Sequence, residues 1–248
     1  QKGCVWWQKG SSTTRLRRAK KILKIGESIH MYFNPDVLAQ SVDDAILIDD
    51  QQSYSVWYKP FGMLCQGSKW SDHTTIYRFA ETHLSPQRPA FIVHRLDKAT
   101  SGLIVLAHTK SAVRELTKAF EQRLTSKCYQ AIVHGNYSSN EQPQTIKAEI
   151  DGKHATSHVR CVDYDKENDR SMLLIDIETG RKHQIRKHLA GIGFPIVGDR
   201  LHGIELCDDD AFLTGENLQL CAISLTIPCP ETHQYMQYDL PKTLQLSL

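Results

Sequence analysis

Three segments carry side chains whose types and spacing could do chemistry. The first is His94-Arg95-Leu96-Asp97-Lys98-Ala99-Thr100-Ser101-Gly102-Leu103. It sets a carboxylate between two apolar runs, at a turn rich in Thr, Ser and Gly. A carboxylate there is partly desolvated and needs a cationic partner to stay ionised. The plainer alternative is a surface turn in which Asp97 caps a backbone amide. The second is Glu178-Thr179-Gly180-Arg181-Lys182-His183-Gln184-Ile185-Arg186-Lys187-His188. An Arg anchored where a helix follows a strand could pair with a buried carboxylate or bind phosphate; the plainer alternative is a solvated basic face. The third, Lys127-Cys128-Tyr129-Gln130-Ala131, puts a Tyr within a strand. Such a ring is usually core, with its hydroxyl finding a partner, but in a nucleotide site it could stack on a base.

These residues need elements to hold them. Ser53 to Lys59 reads as a strand rich in aromatic and β-branched residues, Pro60-Phe61-Gly62 as a turn, and Met63 to Gln66 as a returning strand. Thr75 to His83 reads as a short helix, Phe91 to Val93 leads into the Asp97 turn, and Gly102 to Ala107 is a buried apolar run. Thr109 is the expected N-cap of a helix with Val113, Leu116 and Phe120 on one face. Strands are expected over Lys127–Val133, around Ile146, Ala148 and Ile150, and over Met172–Glu178. A helix then carries His183 to Ala190, ending at Gly191 and Gly193. Strands joined by short turns, with helices interspersed rather than alternating, predict an α+β class.

Bulk properties narrow the function. The 248 residues suffice for one large domain plus a small appendage, with a core that needs no disulfide or metal. The expected division is a basic N-terminal segment, 1–40, and a main domain, 45–248. Gln1 reads as the edge of a trimmed chain. Seven cysteines, an odd number and with no CxxC pair, argue against a disulfide scaffold or zinc ribbon and fit a reducing cytoplasm. No apolar run is long enough to cross a bilayer. Net charge is only +2, but Lys2, Lys9, Arg15, Arg17, Arg18, Lys20, Lys21 and Lys24 all precede the first acidic residue, Glu27. Acidic residues gather later, at Glu205 and Asp208 to Asp210. Such asymmetry suggests a polyanion contact near the N-terminus.

Four segments, in order, resemble the RNA pseudouridine synthases of the RluA/RsuA type. HRLDKATSGLIVLAHT (94–109) resembles that family's His-Arg-Leu-Asp followed by Thr-Ser-Gly. YKPFGMLCQGS (58–68) resembles its Lys-Pro-x-Gly segment, and KCYQAIVHG (127–135) its Lys-x-Tyr segment. ETGRKHQIRKHLAGIGFPIVGDRLHG (178–203) resembles its Gly-Arg-x-His-Gln-Ile-Arg segment and the Gly-Asp beyond. Residues 1–40 resemble, more loosely, part of the small RNA-binding domain often fused to such enzymes. Phe61, Gln66 and His202 depart from the residues usual in the family, which are a small residue, His and Tyr.

The resemblance implies a mixed, mainly antiparallel sheet with flanking helices, and isomerisation of uridine in ribosomal or transfer RNA. Asp97 is then the catalytic carboxylate, attacking the sugar, adding to the base or removing a sugar proton. Arg186 is the expected ion-pair partner of Asp97, with Arg181 as the alternative. Tyr129 stacks on or positions the uracil, Leu96 and Ile185 form an apolar floor, and Arg95 fills the gap left by a flipped nucleotide. The basic N-terminal segment holds RNA phosphates. The reaction calls for no cofactor and no metal. RNA is the expected partner, with no membrane and a monomeric chain. Competing readings are a non-catalytic RNA-binding protein, a zinc deaminase (which would need H-x-E and P-C-x-x-C) and an unrelated α+β domain.

Overall fold

In a computed structural model, residues 2–17, 20–139, 143–202 and 215–248 are described. Arg18, Cys207 and the acidic group at Glu205 and Asp208 to Asp210 lie outside the described residues.

Two sheets organise the chain. The first comprises β1 (Val5–Lys9), β2 (Ser12–Arg15) and β3 (Ser28–Met31), all antiparallel in the order β2-β1-β3. It is followed by a one-turn helix, α1 (Pro35–Ala39). Asn34 accepts from the Val37 amide at 3.0 Å and Pro35 opens the helix, so Asn34-Pro35 starts an element here.

The large sheet collects β4 (Ile46–Asp50), β5 (Tyr54–Lys59), β6 (Phe91–Ile92), β7 (Ser101–Ala107), β8 (Ser126–His134), β9 (Gln144–Ile150), β10 (Lys153–Asp165), β11 (Arg170–Ile177), β12 (Leu220–Pro228) and β13 (Tyr235–Asp239). Its order is β4-β5-β7-β12-β8-β11-β10-β9, with β6 beside β7 and β13 beside β12. Every pairing is antiparallel except β12 with β7. Helices α2 (Ile76–His83), α3 (Lys110–Glu121) and α4 (Gln184–Gly191) flank it. The fold is therefore α+β on a mixed, mainly antiparallel sheet.

β7 explains how the layers stack. All seven of its residues are buried, so its side chains alternate between two cores. Ile104 and Leu106 join Trp57 and the α2 residues Ile76 and Ala80, whereas Leu103 and Val105 join Val56 and the α3 residue Leu116. Threonine side chains start both helices: Thr75 accepts from the Arg78 amide and Thr109 from the Ala112 amide. Gly102 has φ +109, and a Cβ there would lie 2.3 Å from the Ala222 carbonyl oxygen. Only glycine allows β7 and β12 to approach so closely.

Two local expectations are corrected. Met63 to Gln66 forms no strand: it is an irregular return fixed by one bridge, Leu64 to Thr75. The alternation around Ala148 is broken, because Ile146 and Ile150 are buried but Ala148 is exposed on the sheet's edge strand.

The basic N-terminus is also used differently from the expectation. Arg15 and Arg17 both pair with Asp72, whose side chain is fully buried between the two sheets and also accepts from the Tyr77 hydroxyl at 2.6 Å. Trp6 donates to the Lys69 carbonyl at 2.8 Å, and the Lys2 carbonyl accepts from the Ser71 hydroxyl at 2.7 Å. Two of the cations meant for phosphate are thus engaged in holding the small sheet against the large one.

Candidate active site

A cavity of about 660 Å³ opens where the Asp97 turn, the start of β8 and the loop before α4 converge. Its lining includes Arg95, Leu96, Asp97, Tyr129, Ile185 and Arg186, and also Arg181. The structure thus gathers all seven sequence-predicted site residues around one space. Leu96 and Ile185, both 5% exposed, present apolar surface to it, and Tyr129 is 8% exposed.

The Asp97 turn is held from beneath. Lys59, at the end of β5, is completely buried, and its ammonium donates to the carbonyls of Met63 at 2.9 Å, Pro60 at 3.1 Å and Lys98 at 3.4 Å. The Lys98 carbonyl also accepts from the Gly62 amide at 2.9 Å. The Lys-Pro-Phe-Gly turn and the Asp97 turn are therefore one unit. Burial pulls the Lys59 ammonium down to about 8, against the pull of the thiol of Cys65 and the carboxylate of Asp97. Cys65 links the two turns again through the Leu96 backbone.

The loop before α4 is built around Gln184. Its side-chain oxygen accepts from the Thr179 hydroxyl at 2.7 Å and the Arg181 amide at 3.1 Å. Its nitrogen donates to the Thr156 carbonyl at 2.9 Å and the Ser157 hydroxyl at 3.0 Å. A buried amide with every hydrogen-bonding group used fixes the path of Gly180 to His183. His183 then takes a left-handed conformation, φ 55 and ψ 28, that turns its ring toward Asp97.

Arg186 does not pair with Asp97. Its Nε and Nη2 donate to the two oxygens of Asp199 at 2.8 and 2.5 Å, in a pair that is almost wholly buried. Asp199 is also fixed by the amides of Leu201 and His202. The bidentate fork matches one carboxylate, and Asp199 takes it. Arg181, the alternative, donates its Nε to the His154 carbonyl at 3.2 Å. The base nearest Asp97 is His183, whose Nε2 lies 3.9 Å from Oδ2.

Burial raises the Tyr129 hydroxyl pKa, and the charge of Asp97 adds to that shift, so the phenol stays protonated. Lys127 stands in the cavity wall, and burial alone lowers its pKa. The ring of His94 stacks on Phe120, and its Nε2 accepts from the Val105 amide at 3.0 Å. Burial pulls His94 down to about 3, so it is a neutral strut rather than an acid. Among the described residues no group of His, Cys, Asp and Glu is placed to hold a metal ion. His154 and His158 share a face of β10, where His158 bonds Glu178 and Thr145.

A family model described as RNA pseudouridylate synthase matches residues 53–191. The chain belongs to the RNA pseudouridine synthase family. It is similar to an uncharacterised synthase of Aquifex aeolicus, 28% identical over 93% of this chain and 81% of the relative. It is 32% identical to the dual-specificity RNA pseudouridine synthase RluA of Salmonella typhimurium, over 79% of this chain and 92% of the relative. The Escherichia coli K12 protein of the same name is 34% identical over 74% and 86%. The fold is that of Human RNA Pseudouridylate Synthase Domain Containing 1, with a TM-score of 0.67 over 82% of this chain and 85% of that one, at 21% identity. The synthase is thus an isomerase that modifies RNA, and no helix among its described residues is long and apolar enough to cross a membrane.

Sequence reasoning passed over several residues of the synthase's site. Lys59 and Gln184 lay inside the quoted segments but were given no role of their own. Asp199 was visible only as the acidic half of a Gly-Asp pair, and His202 only as a departure from the usual residue. Their common signal was a polar residue next to an apolar stretch, which spacing alone does not distinguish from a solvated one.

Proposed function

We propose that this synthase converts specific uridines of ribosomal or transfer RNA to pseudouridine, with Asp97 as the catalytic carboxylate. The observation that carries the reading is the setting of Asp97: a carboxylate at the edge of a 660 Å³ cavity, beside an apolar floor of Leu96 and Ile185 and the ring of Tyr129. In this reaction the bond from uracil N1 to the ribose breaks, the base turns, C5 bonds to the same sugar carbon, the C5 hydrogen leaves as a proton, and N1 takes up a proton in place of the sugar. Atoms and electrons balance without a redox partner. A uridine flipped from its stack enters the cavity, and Tyr129 lies against its base. Arg95 occupies the space that the nucleotide vacates. Among the described residues no donor is within hydrogen-bonding distance of the Asp97 carboxylate, which leaves both oxygens open to the reacting atoms.

Arg186 serves the site through Asp199, by fixing the loop that follows α4. Arg181 and Lys127 meet the RNA phosphates at the cavity mouth. Residues 1–40 form an appendage to the catalytic domain 45–248, and its cations not engaged by Asp72 extend the RNA contact. The chain acts as a monomer in the cytoplasm, without cofactor or metal.

The test is tritium release from RNA labelled at C5 of uridine. Wild-type protein releases the label, and Asp97→Asn binds RNA but releases none. Release by that variant at a rate near wild type rejects the assignment. RNA binding without release by either protein favours a binding module on the same fold.

A further inference from the structure

Asp97, His183 and His202 form a file. His183 Nε2 lies 3.9 Å from Asp97 Oδ2, and on the other side of the same ring Nδ1 lies 2.9 Å from His202 Nε2. The rings meet edge to face, with centroids 5.1 Å apart at 70°. Among the described residues no Lys or Arg nitrogen lies within 4 Å of Asp97, so His183 is the ionisable base beside it.

A neutral imidazole carries one N–H and one lone pair. Two facing ring nitrogens form a hydrogen bond only when one of them holds a proton. If His183 Nδ1 held it, His183 Nε2 would turn a lone pair toward the Asp97 carboxylate, and the two would repel. If His202 Nε2 holds it, His183 Nε2 carries its own N–H toward Asp97. An ionised Asp97 selects the second arrangement. Desolvation lowers the pKa of both imidazoles, against the charges of Asp97 at His183 and Asp199 at His202, and Arg186 lowers both further. Both rings are therefore mainly neutral near pH 7.

The backbone supports the same arrangement. His183 holds a left-handed φ that a residue with a Cβ adopts only when its surroundings impose it. Gln184 fixes the loop before it, while the Asp199 carboxylate accepts from the His202 amide and fixes the loop after it.

We infer that His202 is a positioning residue for the isomerisation, which by donating to His183 Nδ1 keeps the His183 Nε2–H directed at the Asp97 carboxylate. The inference rests on Asp97 being the catalytic carboxylate. At 3.9 Å the N–H orients the carboxylate through its bond dipole, without occupying an oxygen in a hydrogen bond. That leaves Asp97 aligned and reactive.

Long-range proton–nitrogen correlation spectra of protein with ¹⁵N-labelled histidines test this at pH near 8. Wild type shows His183 protonated at Nε2 and bare at Nδ1. His202→Phe keeps an aromatic ring but has no donor. There the fixed tautomer of His183 is lost, and kcat falls about tenfold with KM unchanged, the loss expected for one hydrogen bond in the transition state. His202→Gln, whose amide can donate, brings kcat back toward wild type. Wild-type His183 found protonated at Nδ1 overturns the inference, as does a normal kcat in His202→Phe. Asp97→Asn separates the two readings. If it is inactive while His202→Phe is normal, only this inference falls; if it turns over, the assignment of Asp97 falls, and the spectra still report the tautomer.

Discussion

The Lys59 ammonium lies 3.4 Å from the carbonyl oxygen of Lys98, the residue that follows Asp97. Two further carbonyls complete its shell, so a fully buried cation ties the end of β5 to the turn that presents the carboxylate. Lys59→Met is expected to remove that tie while keeping most of the side-chain volume. Turnover should fall about tenfold, corresponding to about 1.4 kcal/mol, with little change in RNA affinity. Parallel measurement of single-turnover rate and RNA binding checks this; equal losses in both would mean that the tie serves binding rather than alignment.

The Arg186–Asp199 pair should behave as a buried structural ion pair. Removing one partner leaves an uncompensated charge, so Arg186→Met is expected to destabilise the fold by about 3–5 kcal/mol. The double variant Arg186→Met with Asp199→Leu should recover part of that loss. Urea unfolding of the three proteins measures the coupling, and additive effects would contradict the pairing.

Acid should loosen the small sheet. Burial works to raise the Asp72 carboxyl, but hydrogen bonds from Arg17 and Tyr77 and the charges of Arg15 and Arg17 outweigh it, and its pKa is lowered. A folded-state pKa below the unfolded value means that the stabilisation is full above the ordinary aspartate range and is lost as pH falls through the folded value. Trp6, Trp7 and Trp70 lie on or beside the small sheet and report its docking. In a Trp57→Phe background their fluorescence should change with acid below the ordinary aspartate range. Asp72→Asn should show the undocked signal already at pH 7, and an unchanged acid profile in that variant would refute the role.

Lys127 lines the cavity, with its ammonium 5.9 Å from the centroid of the Phe120 ring, and an RNA phosphate is its expected partner. Lys127→Met should reduce the slope of log affinity against log salt by about 0.7 to 0.9, the contribution of one released counterion. RNA binding across a salt series checks this. An unchanged slope would place Lys127 against the base or sugar instead.

Much of the large sheet could be read from the chain because its signals are local. The apolar run Gly102 to Ala107 read as buried and lies in β7, the stretch Thr75 to His83 read as a short helix and holds α2, and Thr109 read as an N-cap and starts α3. Gathering Asp97, Tyr129, Leu96 and Ile185 at one cavity was legible through the ordered segments. Partner choice was not. Arg186 was given to Asp97, whereas Asp199 takes it, because a contact from α4 to a loop residue 13 positions along the chain leaves no periodic trace. Arg15 and Arg17 read as phosphate-binding groups, whereas Asp72, more than 50 positions away, engages them. Charge type was visible in the sequence, but the geometry that neutralises it depended on how the elements pack.

The position of β12 has a consequence for biosynthesis. It begins at Leu220, later in the chain than both strands it bridges, and it pairs with β7 on one side and β8 on the other. The turn bearing Asp97 precedes β7 and Tyr129 lies on β8, so the two halves of the cavity belong to separate pieces of sheet until β12 enters between them. On a translating ribosome each piece can collapse on its own local contacts, but the seam is a long-range contact that must wait. Nascent chains stalled before Leu220 should therefore protect the amides paired between β5 and β7 and between β8 and β11, while the β8 amides that pair with β12 exchange freely, and protection of those β8 amides at that length would refute the order. The cleft that is to modify RNA is completed only when synthesis has passed Pro228.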